Sequence, residues 1–362
     1  MFAGLELTFA NNFTINRIVE DAITLPTIDI VNNFMANLNK AFTYKEIDDA
    51  KVVCKLAKQV KNIGGASAEA NNLRVVITPA QWQNERKLVD FERPKNVPEG
   101  SWSFNVSIDP DVIEVQTDPA WWDANGPEED FISDAFNLIF NVMTQVHIGD
   151  ALYPAAALAP HPTRGGGHVN IDARTAGIKF PVHVLNMMLG WQDHPGRKQQ
   201  TGDGGLIEVS AQNQAVVRDD RCKNLFSTGE EVLAGPNELQ TGLQNLQETC
   251  TKQMFTNRGQ WKKVKTEITD LLYQFPQKAI IKPGKNFLAS QKINDSQLEA
   301  ISDARTRLLH NQAINIEHLG EDENGAIAGR IEFREFRAQN GLAQVTQSVR
   351  ICSDVIEKAT KS

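Results

Sequence analysis

The sequence of 362 residues lacks any apolar run long enough to cross a bilayer, and its mean hydropathy is −0.35. A bilayer-spanning helix needs roughly 20 consecutive apolar residues, so we expect no membrane association. The first residues, MFAGLELTF, also lack a basic segment ahead of an apolar core, so we expect no secretory signal. Hydrophobic residues make up 41% and charged residues 23%, which is typical of a folded globular chain and excludes a disordered or collagen-like one.

Cysteine is scarce, and none of the four cysteines forms a C-x-x-C pair. They are Cys54, Cys222, Cys250 and Cys352. Such spacing predicts neither a disulfide framework nor a cysteine zinc site. Thiols of this kind are usually buried as small apolar side chains in a reducing compartment. We therefore expect a cytoplasmic protein.

Positive charge is also in short supply, since 37 basic residues face 45 acidic ones and the net charge is −8. General nucleic-acid binding needs a dense basic surface, so we expect none. The sequence contains no G-x-S-x-G, H-E-x-x-H or G-x-G-x-x-G pattern. Serine hydrolase, zinc protease and dinucleotide-binding functions therefore have no support.

Several parts of the chain show helical periodicity. The sequence contains no internal repeat. The expected helices cover residues 44–63, 127–146, 237–256, 262–274, 296–310 and 342–358. We expect one domain over residues 1–362, in which residues 205–312 form a mostly helical insertion. The insertion would wall a cleft or contact partners.

Four short segments alternate apolar and polar residues, as strands with one buried face do. They cover residues 4–9, 111–118, 168–172 and 330–337. The ordinary interpretation of their polar positions is a solvated sheet face. The residue types favour another, because clustered carboxylates repel one another unless cations neutralise them. Oxygen ligands with one imidazole suit Mg²⁺ or Mn²⁺. The polar positions are Glu6, Glu114, His168, Glu332 and Arg334.

The same segments, in this order, resemble the amidoligase branch of the glutamine synthetase and glutamate–cysteine ligase superfamily. The matching stretches are GLELTF at 4–9, Asp109 followed by IEVQTDP at 113–119, GHVNID at 167–172 and IEFR at 331–334. The resemblance implies an α+β fold with a glutamine synthetase-like catalytic domain. Its curved, mainly antiparallel sheet of about six strands would carry helices on the convex face and the site on the concave face.

The resemblance further implies an ATP-dependent carboxylate–amine ligase that forms an amide bond through an acyl phosphate. Glu6, Glu114, His168 and Glu332 would bind Mg²⁺ or Mn²⁺. Arg334 would neutralise the transferred phosphate, so Glu332 and Arg334 are the predicted catalytic residues. We also expect Arg164 and Asn170 to contact ATP. The substrates would be a small-molecule or peptide carboxylate and an amine.

Two residues depart from the family pattern at the implied metal site. Thr8 stands where the family has a second glutamate, and Asn170 where it has a second histidine. Fewer metals could bind, or Asp109, Asp172 or Glu208 could replace the lost ligands. The chain could equally be a catalytically degenerate relative with a structural or interaction role in a larger assembly, or a phosphotransferase. The chain could also form a homo-oligomer.

Overall fold

A computed structural model of the chain describes residues 1–18, 25–63, 66–80, 100–109, 112–160, 166–192, 199–200, 206–207, 236–253, 260–274 and 314–361. The chain divides into two compact units. The N-terminal unit comprises Phe2–Val169 and Phe336–Val349. The C-terminal unit comprises Met1, Asn170–Glu335 and Arg350–Ser362.

The secondary structure mixes helices and strands along the whole chain. The first part contains β1 (Phe2–Phe9), a short π-helix (Phe13–Ile18), α1 (Leu25–Thr43), β2 (Ala50–Ile63), β3 (Ala66–Pro79), β4 (Trp102–Asp109), β5 (Val112–Thr117), β6 (Ala120–Trp121), α2 (Asp130–Met143), β7 (His147–Ile148), β8 (Ala156–Ala157) and β9 (Gly167–Asp172). The second part contains α3 (Pro181–Gln192), β10 (Gln199–Gln200), β11 (Leu206–Ile207), α4 (Pro236–Gln253), α5 (Trp261–Gln274), β12 (Ile314–Asn315), β13 (Leu319–Glu321), β14 (Ile327–Phe336) and α6 (Leu342–Lys361).

The N-terminal unit is built on a sheet with the strand order β9-β1-β5-β4-β3-β2, and β6 also pairs with β1. The pairs β1–β5, β5–β4, β4–β3 and β3–β2 are all antiparallel. The predicted α+β class with a mainly antiparallel sheet is therefore confirmed. The glutamine synthetase-like form of that fold stays a prediction.

One face of this sheet is apolar because its residues lie in register across the strands. A single row runs through Leu56, Leu73, Val106, Val115 and Leu7. All but the half-buried Leu56 are fully buried. Helices α1 and α2 cover this face, since Phe42 of α1 contacts Phe104 and Phe136 of α2 contacts Trp102. The neighbouring polar residues of each strand therefore point to the opposite face.

The predicted helix over residues 44–63 is wrong, because residues 50–63 form strand β2 of a long hairpin with β3. Val52 and Leu56 are four residues apart, which fits a helical period and a strand period equally well. The burial decides for the strand, since Val52, Cys54 and Leu56 are half-buried and the residues between them are exposed. Residue pairing along the whole length of β3 stabilises the extended conformation.

The C-terminal unit places β14 between β12 and β9, and β13 also pairs with β14. Helix α3 covers one side of β14, where Trp191 contacts Phe333 at 5.2 Å between ring centroids. Helix α5 is held to β13 by the indole nitrogen of Trp261, which donates to the Leu319 carbonyl at 3.1 Å. The side of β14 opposite Phe333 carries Glu332 and Arg334.

Most of the other predicted helices are confirmed. Helices α2, α4, α5 and α6 lie within or close to the expected ranges 127–146, 237–256, 262–274 and 342–358. The expected helix over 296–310 lies outside the described residues. Of the predicted insertion over 205–312, the structure describes only β11, α4 and α5, so its role stays a prediction. Within the described ranges, no helix combines the length and apolar character needed to span a membrane.

Candidate functional site

Glu6 and His168 form a hydrogen-bonded pair on the polar face of the N-terminal sheet. Glu6 lies on β1 between the buried Leu5 and Leu7, so its side chain points away from the helices. His168 lies on β9, the strand beside β1. The His168 Nδ1 atom is 2.8 Å from Glu6 Oε2, and both side chains are mostly buried. The predicted neighbourhood of these two residues is therefore confirmed.

Glu114 joins this pair from β5 on the other side of β1. It lies directly opposite Thr8 in the β1–β5 register, and it is 9% exposed. The pKa of the Glu114 carboxyl is raised to about 8, mainly by burial and also by the charges of Glu6 and Asp109, against the opposing effect of His168. A side-chain hydrogen bond with Glu6 also favours the protonated form. Two acids in this contact need a shared proton or a cation.

Thr8 shows how the chain uses the position where the family has a second glutamate. Its hydroxyl donates to the carbonyl of Gly166 at 2.9 Å, so it links β1 to the start of β9. Gly167 is the next residue of β9, and a Cβ atom there would lie 1.8 Å from Gln339 Oε1. Gly167 therefore allows the Gln339 side chain to pack directly against the backbone of β9.

Glu332 lies on β14, in the C-terminal unit. It is 3% exposed, and its Oε2 accepts a hydrogen bond from Asn315 Nδ2 at 2.7 Å. Its Oε1 accepts one from Arg334 Nη1 at 2.8 Å. The structure thus confirms that Glu332 and Arg334 share one side of β14. It adds that the guanidinium of Arg334 is paired with that carboxylate.

The remaining predicted residues are placed as follows. Asn170 and Asp172 are buried on β9, and Asp172 Oδ2 accepts a hydrogen bond from the Thr175 backbone at 2.9 Å. Asp109 is exposed at the end of β4. Arg164 and Glu208 lie outside the described residues, so their expected contacts stay predictions.

Two features were missed by the sequence analysis. Asn315 lies in a two-residue strand, which is too short to show any alternation. The second feature is a row of polar residues across the N-terminal sheet, which the misassigned helix concealed. This polar row consists of Lys55, Arg74, Asn105, Gln116 and Glu6, each opposite the next.

Comparisons of the chain with family models, curated proteins and solved structures find no match. What the chain does must therefore be inferred from its own residues and from the motif resemblance.

The donors Glu6, Glu114 and His168 fit a hard divalent cation. Carboxylate oxygens are the preferred ligands of Mg²⁺ and Mn²⁺, and one imidazole is compatible with Mn²⁺. In the metal-free protein, the proton on Glu114 relieves its repulsion with Glu6. A bound metal ion would relieve the same repulsion. The three side chains come from three adjacent strands, which gives them a rigid support.

Proposed function

We propose that the chain is an ATP-dependent carboxylate–amine ligase that uses Mg²⁺ or Mn²⁺. The observation that carries the proposal is the contact of the mostly buried Glu6 with both Glu114 and His168 on one sheet face. Buried acids in contact are costly unless a cation compensates them. Phosphoryl transfer requires such a cation at the phosphates, and ligases of the resembled family begin with this step.

Each proposed residue has a role that its chemistry allows. Glu6, Glu114 and His168 would hold the metal, which supplies charge neutralisation at the transferred phosphate. The predicted role of Glu332 as a further ligand stays a prediction. Arg334 carries a planar guanidinium that suits phosphate oxygens. Some of its hydrogen bonds to Glu332 would be replaced by hydrogen bonds to the phosphate. Asn170 and Arg164 would contact ATP. The other substrates would be a carboxylate and an amine.

The test is a titration of the full chain with Mg²⁺ and a non-hydrolysable ATP analogue. We expect binding at millimolar concentrations or below, and at least about tenfold weaker metal binding in Glu6→Gln and Glu114→Gln, a loss of roughly 1.4 kcal/mol. The matched control is Glu69→Gln, an exposed glutamate on β3 of the same sheet that pairs with Lys58. Equal affinity in Glu114→Gln and in the wild type would refute the metal assignment.

The ligase step has its own test, which is ATP turnover with mixtures of candidate carboxylates and amines. Glu332→Ala is expected to abolish turnover while circular dichroism still reports a folded protein. Phosphorylated carboxylate without amide would indicate a phosphotransferase.

A structural role is the second candidate, and one observation favours it. The Thr8 hydroxyl is committed to Gly166, so a ligand position of the resembled family has become a structural contact. For a degenerate relative we expect no binding of Mg²⁺ or of the nucleotide at millimolar concentrations. The titration above therefore separates the two functions.

A further inference from the structure

The polar row carries opposite charges at its two ends. Glu6 lies at one end, on β1, with Glu114 on the neighbouring strand β5. Lys55 and Arg74 lie at the other end, on β2 and β3. Between them Asn105 and Gln116 offer neutral amides. All six residues belong to the N-terminal unit, and all lie on the sheet face opposite the buried leucine and valine row.

The basic end of the row is unfavourable as it stands. Lys55 and Arg74 are directly opposite each other on neighbouring strands, where like charges destabilise the pair. The Nη1 atom of Arg74 is buried and has no hydrogen-bond partner among the described residues. A buried donor of this kind costs free energy until an acceptor reaches it. An anionic group between the two cations would remove both costs.

From this juxtaposition we infer that Arg74 and Lys55 bind a second, non-reacting carboxylate of an elongated acyl substrate, whose reacting carboxylate lies at Glu6 and Glu114. The reacting half of this inference rests on the proposed function, whereas the anion-binding half does not. A planar guanidinium binds a carboxylate through two parallel hydrogen bonds, and the neighbouring ammonium adds charge. The amide of Asn105 would contact the body of the substrate, as would the amide oxygen of Gln116, whose nitrogen donates to Glu114.

The sheet geometry sets the length of that substrate. Glu6 and Arg74 are three strand spacings apart, or about 14 Å between backbones at about 4.8 Å per strand. Side chains on one face stand roughly perpendicular to the sheet, so about 14 Å is an upper limit for the distance between the two carboxylates. The reach of the Arg74 side chain and of the metal shortens it. Glutarate is too short for this span, whereas suberate is close to it.

The anion-binding half is tested without metal, by titrating suberate into the protein in EDTA. We expect Arg74→Gln to weaken binding about tenfold. Arg74→Lys keeps the charge but loses the two parallel hydrogen bonds, so it should weaken binding less than Arg74→Gln. The matched control is Lys58→Gln, because Lys58 is a cation of the neighbouring strand β2 that points to the other face and pairs with Glu69. Arg74→Gln should fold, since it removes a like-charge contact, and circular dichroism checks this. Unchanged suberate affinity in Arg74→Gln would overturn the inference.

The span is tested by repeating the titration with Mg²⁺ for suberate, glutarate and monomethyl suberate, which has the same length and a single carboxylate. We expect Mg²⁺ to increase the affinity for suberate about tenfold and to leave the other two nearly unchanged. Equal gains for glutarate and suberate would overturn the inferred length. An Arg74-dependent affinity without any gain from Mg²⁺ would overturn the proposed function and the reacting half of the inference, while the anion site stands. Metal binding without any effect of Arg74→Gln on the affinity for suberate would overturn the anion site, while the proposed function stands.

Discussion

Two glutamates are buried on polar sheet faces in different units, and their surroundings are opposite in kind. Glu332 accepts hydrogen bonds on both carboxylate oxygens, from Asn315 and Arg334. Glu114 accepts one hydrogen bond, from Gln116 Nε2 at 3.0 Å, but it also hydrogen-bonds another acid, Glu6. Its pKa is raised to about 8, first of all because it is buried. Donors that the protein supplies can thus stabilise a buried carboxylate. Where another acid lies against it, the carboxylate needs a proton or a metal ion as well.

Glutamate serves different purposes at these two positions because the neighbouring charges differ. At Glu332 the protein supplies the compensating positive charge from two residues further along the same strand. At Glu114 its register partner is the neutral Thr8, and Glu6 next to it adds negative charge. In the second arrangement, a divalent cation would remove a repulsion between two acids.

The largest expected effect of a single substitution is that of Glu332→Gln on stability. The amide presents a donor where both Asn315 and Arg334 donate, so one of them loses its acceptor. Removing one partner of a buried ion pair costs about 3 to 5 kcal/mol. Urea denaturation of the metal-free protein measures the loss. Glu317→Gln serves as the control, because Glu317 is a glutamate of the same unit that is less deeply buried. A loss no larger than that of the control would break the comparison.

The next effect is a pH dependence that Glu114 should cause in EDTA. Its folded-state pKa of about 8 lies above the ordinary value of 4.5, so the folded protein holds a proton that the unfolded chain has lost. The free energy of unfolding therefore falls as the pH rises through this window. Across the whole window we expect a contribution on the order of 5 kcal/mol, because each pKa unit corresponds to about 1.4 kcal/mol.

Glu114→Gln tests this contribution because its amide mimics the protonated acid and can donate to Glu6. The variant should lose that part of the pH slope and be more stable than the wild type at pH 8 in EDTA. The exposed Glu69→Gln should keep the wild-type slope. Urea denaturation at several pH values gives all three results, and a slope unchanged in Glu114→Gln would contradict the prediction.

The smallest effect is expected from Thr8→Glu, which adds a third carboxylate opposite Glu114. Without metal it should destabilise the protein, because it removes the hydrogen bond to Gly166 and adds like charge. With Mg²⁺ it should bind the metal about tenfold more tightly, which is about 1.4 kcal/mol. Thr8→Val, which removes the same hydrogen bond without adding charge, is the control in calorimetry. Weaker metal binding in Thr8→Glu would argue against a metal at this position.

Alternation along β1, β5 and β9 was enough to predict from the sequence that Glu6, Glu114 and His168 share a face. Each strand has an apolar set that must be buried against helices, which fixes the direction of the polar set. The same reasoning placed Glu332 and Arg334 on one side of β14. It failed over residues 50–63, because an apolar spacing of four residues fits a helix as well as a strand.

Local patterning by itself therefore determined the fold class, most of the helices and the polar faces of four strands. Only the tertiary structure decided the strand order and register, because hydrogen bonds between segments distant in the chain leave no periodic trace within either one. That register brings Glu114 against Glu6, and it brings Lys55 against Arg74. The electrostatic cost of both contacts, from which metal and anion binding are proposed, arises only once the strands are paired.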